Sequence, residues 1–205
     1  MSGRRFAGAL AAYALMAAAA VAVSAWYGRS PLEHPAPWLA LGEAGAAISL
    51  AAGAALALGT IVSTRWLLRR AAWARALRVE LRLLLEGASG AQLAGLGIAS
   101  GLAEELLFRG ALQPIAGWAL TSLAFGLLHV GPRRTFLPWT VWAVAMGLVL
   151  GAIFEATGSL AGPLAAHVAI NTVNLRTVAR HDARLDHADG RLAPPRLVGR
   201  PRRDT

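Results

Sequence analysis

The chain is organised as six apolar runs separated by short polar segments. The runs cover residues 6–26, 38–64, 91–108, 115–129, 136–154 and 160–178. An α-helix needs about 20 predominantly apolar residues to cross the hydrocarbon core of a bilayer, and most of the runs approach or exceed that length. The pattern therefore predicts an all-α, polytopic membrane protein with about six transmembrane helices, the fourth of them short.

A seventh segment, residues 65–86, has a different pattern. Arginines alternate there with Trp and Leu residues at helical spacing, at Arg65, Arg69, Arg70, Arg75, Arg78 and Arg82. This pattern is typical of a basic amphipathic helix that lies in the headgroup layer of a membrane. We expect this interfacial helix to anchor the protein and to join the second span to the third.

The arginine clusters also predict the orientation of the chain. They stand at residues 4–5, 65–82, 133–134 and 181–205, and six spans place all four on the same side of the membrane. The positive-inside rule makes that side cytoplasmic, so both termini are expected in the cytoplasm. We interpret the first run as a retained helix rather than a cleaved signal, because it has the length of a full span.

Composition agrees with a membrane protein of one domain. Hydrophobic residues make up 56% of the chain and charged residues 15%, too few to cover the surface of a water-soluble domain. Residues 1–180 are expected to form a single domain, and the Arg- and Pro-rich residues 181–205 a flexible cytoplasmic tail.

The charge balance bears on partners and compartment. The net charge is +9, and the basic residues cluster at the ends of apolar runs, which favours anionic lipid headgroups over nucleic acid. The absence of Cys excludes a thiolate metal site and a cysteine nucleophile. The Ala-rich, Lys-free composition is typical of a bacterial protein, so the predicted location is the inner membrane.

Ionisable residues inside the predicted spans are few, and each is a functional candidate because a charge in a bilayer is costly. On the third span, Glu105 and Arg109 are four residues apart and share a helix face, which suits an ion pair. Glu104 is displaced by about 100° around the helix and is expected to point elsewhere, without a counter-ion.

Two further pairs have the same spacing of four residues. Phe125 and His129 end the fourth span, and His167 and Asn171 lie on the sixth, so each pair shares one helix face. Taken alone, His129 could be a headgroup residue, and His167 with Asn171 could form interhelical hydrogen bonds. Their joint occurrence with buried glutamates favours a functional site.

Three strings of residues resemble the motifs of one known family. They are Glu104-Glu105-x-x-x-Arg109, Phe125-x-x-x-His129 and His167-x-x-x-Asn171, in this order on separate spans. Together they resemble the CPBP family, which comprises the CAAX prenyl endopeptidases of the Rce type and the bacterial Abi and bacteriocin-processing membrane proteases. The resemblance covers roughly residues 90–175 and implies an intramembrane endopeptidase.

The resemblance also implies a role for each motif residue. Glu104 would be the general base that activates water, with His129 as its partner, and His167 with Asn171 would stabilise the oxyanion. Glu105, Arg109 and Phe125 would support the site. Physical chemistry agrees with the first role, since a carboxylate that has lost its hydration is a stronger base.

The resemblance leaves the metal and the substrate open. We favour a metal-free, glutamic-type mechanism without cofactor; a zinc ion, if one is used, would be held by Glu104, His129 and His167. The expected substrate is a membrane-associated protein or peptide.

The span limits create a geometric difficulty for this hypothesis. They place Glu104 toward the outer part of the third span and His129 near the inner edge of the fourth. We nevertheless expect the four candidate catalytic side chains to converge on one cavity, which a kinked helix or different span ends would permit.

One alternative is another kind of protease, and two alternatives are non-enzymatic. The string around Ser89, Gly-Ala-Ser-Gly-Ala, resembles the nucleophile string of rhomboid serine proteases, although it lies in a linker position. Buried carboxylates and histidines also occur in the proton relays of transporters, and an inert site would fit an immunity protein. Rhomboid chemistry gives the glutamate pair no role, and the sequence shows no inverted repeat of the kind that transporters usually have.

Overall fold

A computed structural model describes residues 1–180, and this part of the chain is helical except for its connections and one isolated bridge between Glu33 and Ser159. The helices are α1 (Gly3–Trp26), α2 (Ala44–Arg70), α3 (Ala72–Leu84), α4 (Gly90–Glu105), α5 (Gln113–Ala116), α6 (Trp118–Leu127), α7 (Leu137–Thr157) and α8 (Ala161–Ala179). A π-helix, Leu106–Leu112, joins α4 to α5. The all-α prediction is confirmed; the predicted tail at 181–205 lies outside the described residues.

Three helices within residues 1–180 are long and apolar enough to cross a membrane. They are Gly3–Trp26, Ala44–Arg70 and Arg134–Thr157. They correspond to the first, second and fifth predicted spans. The other three predicted spans are short or carry the polar candidate residues, and their crossing of the membrane stays a prediction.

The third helical segment is longer than the predicted run at 91–108. It continues without a break from Gly90 through the π-helix to Ala116. Pro114 has no N–H to give to the carbonyl four residues earlier, so regular α-helical hydrogen bonding cannot continue through it. Glu104 consequently lies near the middle of this segment, not toward its outer end.

The fourth predicted span, 115–129, is also different in the structure. Gly117, at φ 84°, separates α5 from α6, and α6 has only 10 residues. At 1.5 Å per residue α6 is about 15 Å long, roughly half the thickness of a hydrocarbon core. His129 follows its C-terminal end and can therefore reach the depth of Glu104. The two corrected span limits together remove the geometric difficulty.

Helices α4 and α8 approach each other closely at two glycines. A Cβ atom on Gly97 would lie 2.7 Å from the Cα of Thr172, and one on Gly101 would lie 2.9 Å from the Cα of Val168. Small residues four apart permit such contact between membrane helices. This close packing brings the glutamates of α4 beside the histidine of α8.

The basic amphipathic segment is divided between two helices. Helix α2 continues to Arg70, beyond the predicted limit of 64, and α3 forms the amphipathic part. Helix α3 buries Ala74 and Leu77 and contributes to the wall of the central cavity. The expectation that this segment only anchors and connects was therefore too narrow, because a sequence pattern does not show what the apolar face of a helix contacts.

Candidate active site

A cavity of about 620 Å³ lies between α3, α4, α7 and α8. Its lining includes all four predicted catalytic residues, Glu104, His129, His167 and Asn171. Its remaining walls are mostly apolar. The structure therefore brings together side chains from three separate helical segments around one space.

Glu104 faces two imidazole rings. Its Oε2 lies 3.7 Å from Nε2 of His167 and 4.0 Å from Nε2 of His129. Oε2 is buried and forms no hydrogen bond with any other described residue. Both distances exceed that of a direct hydrogen bond, and a water molecule bridging two acceptors would fit such a separation.

The ring of His129 is oriented by the backbone of α6. Its Nδ1 lies 2.8 Å from the carbonyl oxygen of Phe125, one turn earlier. A carbonyl only accepts, so Nδ1 carries the proton and donates it. In the neutral ring, Nε2 then presents its lone pair toward Glu104.

Glu105 is held by two partners. Nη1 of Arg109 donates to its Oε1 at 2.9 Å, and Nδ1 of His167 lies 2.6 Å from the same oxygen. Glu105 and Arg109 are almost completely buried, at 0% and 1% exposure. The structure contains the ion pair that the spacing predicts and adds a contact to His167 that the spacing did not reveal.

Phe125 packs against the other members of the site. The guanidinium of Arg109 lies 4.4 Å from its ring centroid, and the rings of His129 and His167 lie 4.7 and 5.9 Å away. These contacts fix the side chains that surround Glu104. The predicted supporting role of Phe125 is consistent with these contacts and stays a prediction.

Asn171 has a partner that sequence reasoning missed. Its Nδ2 donates to Oγ of Ser100 at 2.9 Å, and Ser100 also lines the cavity. Ser100 is four residues before Glu104, the same spacing as between His167 and Asn171. That spacing was the signal that could have identified it.

Helix α1 contributes Tyr13 to the cavity wall. Its side chain interacts with Ser100 and lies within electrostatic range of Glu104. The first two spans carry no motif that sequence reasoning recognised, so nothing in the sequence pointed to this residue.

The donor set around Glu104 resembles one that zinc uses. Two imidazoles and one carboxylate bind catalytic zinc in other proteins, usually with the second imidazole nitrogen bound to a carbonyl or carboxylate, as it is here for His129 and His167. In the described part of the chain, however, no group of three or more His, Asp or Glu side chains is arranged so that it could hold a metal ion.

Ser89, the candidate of the rhomboid alternative, is the N-cap of α4. Its hydroxyl accepts from the backbone N–H of Gln92, whose side chain accepts from the N–H of Ser89 in a capping box. Ser89 does not line the central cavity. Its local role is therefore that of a helix cap.

The part of the chain that carries the three motifs is similar to known proteins. Residues 87–173 match the family described as type II CAAX prenyl endopeptidase Rce1-like, and this segment contains all three motifs. The chain is also 36% identical over 89 residues to YpbD, an uncharacterized protein of Bacillus subtilis (strain 168). That match covers 42% of this chain and 46% of the relative, so the chain matches about half the length of that protein.

No solved structure matches the chain. The family resemblance predicted from the three motifs is confirmed by the family match. The roles of the individual residues are not tested by these comparisons and stay predictions.

Proposed function

We propose that this chain, which over residues 87–173 matches the type II CAAX prenyl endopeptidase Rce1-like family, is an intramembrane endopeptidase that cleaves a membrane-associated protein or peptide. The observation that carries this proposal is the environment of Glu104. Its carboxylate lines a cavity and faces Nε2 of His167 at 3.7 Å and Nε2 of His129 at 4.0 Å.

In the proposed reaction, Glu104 is the general base. The attacking water gives one hydrogen bond to the Glu104 carboxylate and one to Nε2 of His129, which directs its oxygen into the cavity. Proton transfer to Glu104 generates the nucleophile, and the same carboxyl group later delivers the proton to the leaving amine.

The oxyanion of the tetrahedral intermediate is held from α8. His167, doubly protonated, donates from Nε2, while its Nδ1 stays bound to Glu105 at 2.6 Å. The Nδ2 group of Asn171 carries two hydrogens. One is donated to Oγ of Ser100, and the other is donated to the oxyanion. Such donors are worth about 3 kcal/mol each in a site that excludes water.

The proposed mechanism uses no metal. A chelator such as 1,10-phenanthroline should leave the activity of the purified protein unchanged, and elemental analysis should find less than stoichiometric zinc. Loss of activity with chelator that is restored by added zinc would replace this mechanism with a metalloprotease mechanism in which Glu104, His129 and His167 hold the ion.

The substrate can be found by comparing cells. Cells expressing the wild-type protein and cells expressing Glu104→Gln are compared by quantitative analysis of membrane-protein termini, and the variant cells should lack a defined set of cleaved termini. Glu155→Gln, a buried glutamate away from the cavity, is the matched control and should retain those termini. Identical termini in wild-type and Glu104→Gln cells would exclude the proposed function.

The same samples test the alternatives. Ser89→Ala should leave the cleaved termini in place, because Ser89 caps a helix. Loss of cleavage in Ser89→Ala with retention in Glu104→Gln would establish the rhomboid alternative. Proton or solute flux through proteoliposomes of the pure protein, without any cleavage, would establish the transporter alternative.

We also propose that the protein resides in a bacterial inner membrane, with both termini cytoplasmic and its arginine clusters against anionic headgroups. The chain has no Cys, so labelling of a single introduced cysteine shows on which side of the membrane that position lies. Cysteines at position 2 and in the 28–37 loop should react with an impermeant maleimide from opposite sides.

A further inference from the structure

The cavity continues beyond the candidate catalytic residues along one face of α8. His167, Asn171 and Asn174 follow one another at steps of four and three residues, and all three line it. This spacing places them in a row along the helix. The lining is otherwise mostly apolar and includes Trp73 of α3 and Trp142 of α7. The cavity therefore presents a row of polar side chains from α8 within largely apolar surroundings.

Asn174 has an acceptor that the protein does not use. Its Nδ2 donates weakly to Oγ1 of Thr64, at 3.4 Å, whereas its Oδ1 is buried without a hydrogen-bond partner among residues 1–180. A buried acceptor left unpaired costs about 1–3 kcal/mol. A bound molecule that brings an N–H donor to this point would recover that free energy.

We propose that Asn174 is a substrate-binding residue whose Oδ1 accepts a backbone N–H of an extended substrate, about three residues from the scissile bond. Seven residues of α-helix, from His167 to Asn174, span about 10 Å, and an extended chain advances about 3.3 Å per residue. This inference rests on the proposed function, because His167 marks the position of the reacting carbonyl.

The lining of the cavity also bears on the side chains of the substrate. Successive side chains of an extended segment point to opposite sides. Those facing away from α8 can bury apolar surface against lining residues such as Trp73 and Trp142, while those facing α8 must be small enough to let the backbone reach Asn174. The substrate class is thus an extended segment in which large apolar residues alternate with small ones.

Binding by a non-hydrolysing variant tests this contact without requiring cleavage. The probe is a fluorescein-labelled decapeptide of alternating leucine and alanine, and the protein is the full chain with Glu104→Gln in detergent micelles. Fluorescence anisotropy gives the Kd for the parent peptide and for a series in which each amide in turn is N-methylated. We expect one methylated position near Asn174 to raise the Kd by about tenfold, the effect of one lost hydrogen bond to a buried group.

Variants at position 174 assign the effect to this residue. Asn174→Leu, which keeps the volume and removes the acceptor, should raise the Kd of the parent peptide by about tenfold and abolish the sensitivity to methylation at that one position. Thr64→Val and Thr177→Val should keep that sensitivity, since they leave Oδ1 of Asn174 in place.

Three outcomes would overturn the inference. They are no saturable binding of the peptide, equal sensitivity at all positions, or a sensitive position that persists in Asn174→Leu. If Asn174→Leu does not fold, the N-methylated peptides are still tested on the protein that retains Asn174. The same Kd for every methylated position would then contradict the inference. Position-specific binding without any cleavage by the wild type would uphold this inference and contradict the proposed function, so the two can fail separately.

Discussion

Two buried glutamates that face histidines, Glu155 and Glu104, differ in how their hydrogen bonds are satisfied. Glu155 of α7 accepts from Nε2 of Gln113 at 2.9 Å and lies 3.3 Å from Nε2 of His34. Glu104 of α4 faces two imidazoles at 3.7 and 4.0 Å and makes no direct bond from Oε2 to another described residue. Only Glu104 lines the central cavity.

The surroundings of Glu155 explain its role. The backbone N–H of His34 donates to the carbonyl of Gly158 at 2.8 Å, and that of Trp38 donates to the carbonyl of Glu155 at 2.7 Å. Together with the side-chain bonds, these contacts fix the segment between α1 and α2 to the end of α7. A carboxylate with both oxygens engaged holds structure together, whereas one that faces a cavity can exchange a proton with a bound molecule.

The largest expected effect is on kcat, which should fall when Glu104 is replaced but not when Glu155 is replaced. Glu104→Gln should lower kcat by about a thousandfold, because the general base is removed while the volume is kept. Glu155→Gln should leave kcat within about threefold, a difference too small to indicate a catalytic role. Both values are measured as initial rates of cleavage in proteoliposomes, and comparable losses in the two variants would remove the distinction.

The next largest effect concerns the glutamate that neighbours Glu104. Glu105→Gln removes the charge that Arg109 and His167 share, and breaking such a buried pair should lower the free energy of unfolding by about 3 kcal/mol. It should also lower kcat more than it raises KM, since His167 loses its anionic partner. Thermal unfolding in detergent and steady-state kinetics check the two parts; unchanged stability would contradict the assignment of Glu105 as a positioning residue.

A smaller effect concerns stability, for which Glu155 is expected to matter more than Glu104. Glu155→Ala leaves Gln113 and His34 without their shared acceptor, so the free energy of unfolding should fall by about 2 kcal/mol. Glu104→Ala should not lower it, because no direct hydrogen bond from Oε2 to a described residue is lost. Chemical denaturation of both variants measures this difference, and a larger loss in Glu104→Ala would show that Glu104 also supports the fold.

The smallest effect tests how Asn171 is oriented. Ser100→Ala removes the acceptor that fixes the Asn171 amide, and kcat should fall by about fivefold with KM little changed. Adding Ser100→Ala to Asn171→Ala should have no further effect, since both act through the same amide. Ser122→Ala, a buried serine bonded within α6, is the matched control and should retain full activity; additive losses in the double variant would contradict this prediction.

Helix type and the pairing of residues within one helical segment were predictable from periodicity. The Glu105–Arg109 pair and the contact between Phe125 and His129 follow from spacings of four residues. The interfacial helix was recognised from its alternating Arg and apolar positions, but its packing against the cavity was not. A periodic pattern identifies an apolar face without identifying its partner.

The errors have a common physical origin. The end of the third span at 108 and the extent of the fourth to 129 were read from hydropathy, which does not detect a π-helix after Glu105 or a break at Gly117. Ser100 and Tyr13 were missed because small or single polar residues in an apolar helix are common. The four-residue spacing to Glu104 could have pointed to Ser100, but only the packing of α1 shows that Tyr13 reaches the cavity.

The amino-acid sequence by itself determined that the chain is a helical membrane protein and which ionisable groups its spans contain, because the cost of placing charge in a bilayer makes such groups few and recognisable. The tertiary structure decided which of them meet. The contact of Gly97 and Gly101 with α8 sets the distance between α4 and His167, and the short α6 brings His129 to the same depth. Convergence depends on contacts between helices, and no periodicity within one helix encodes them.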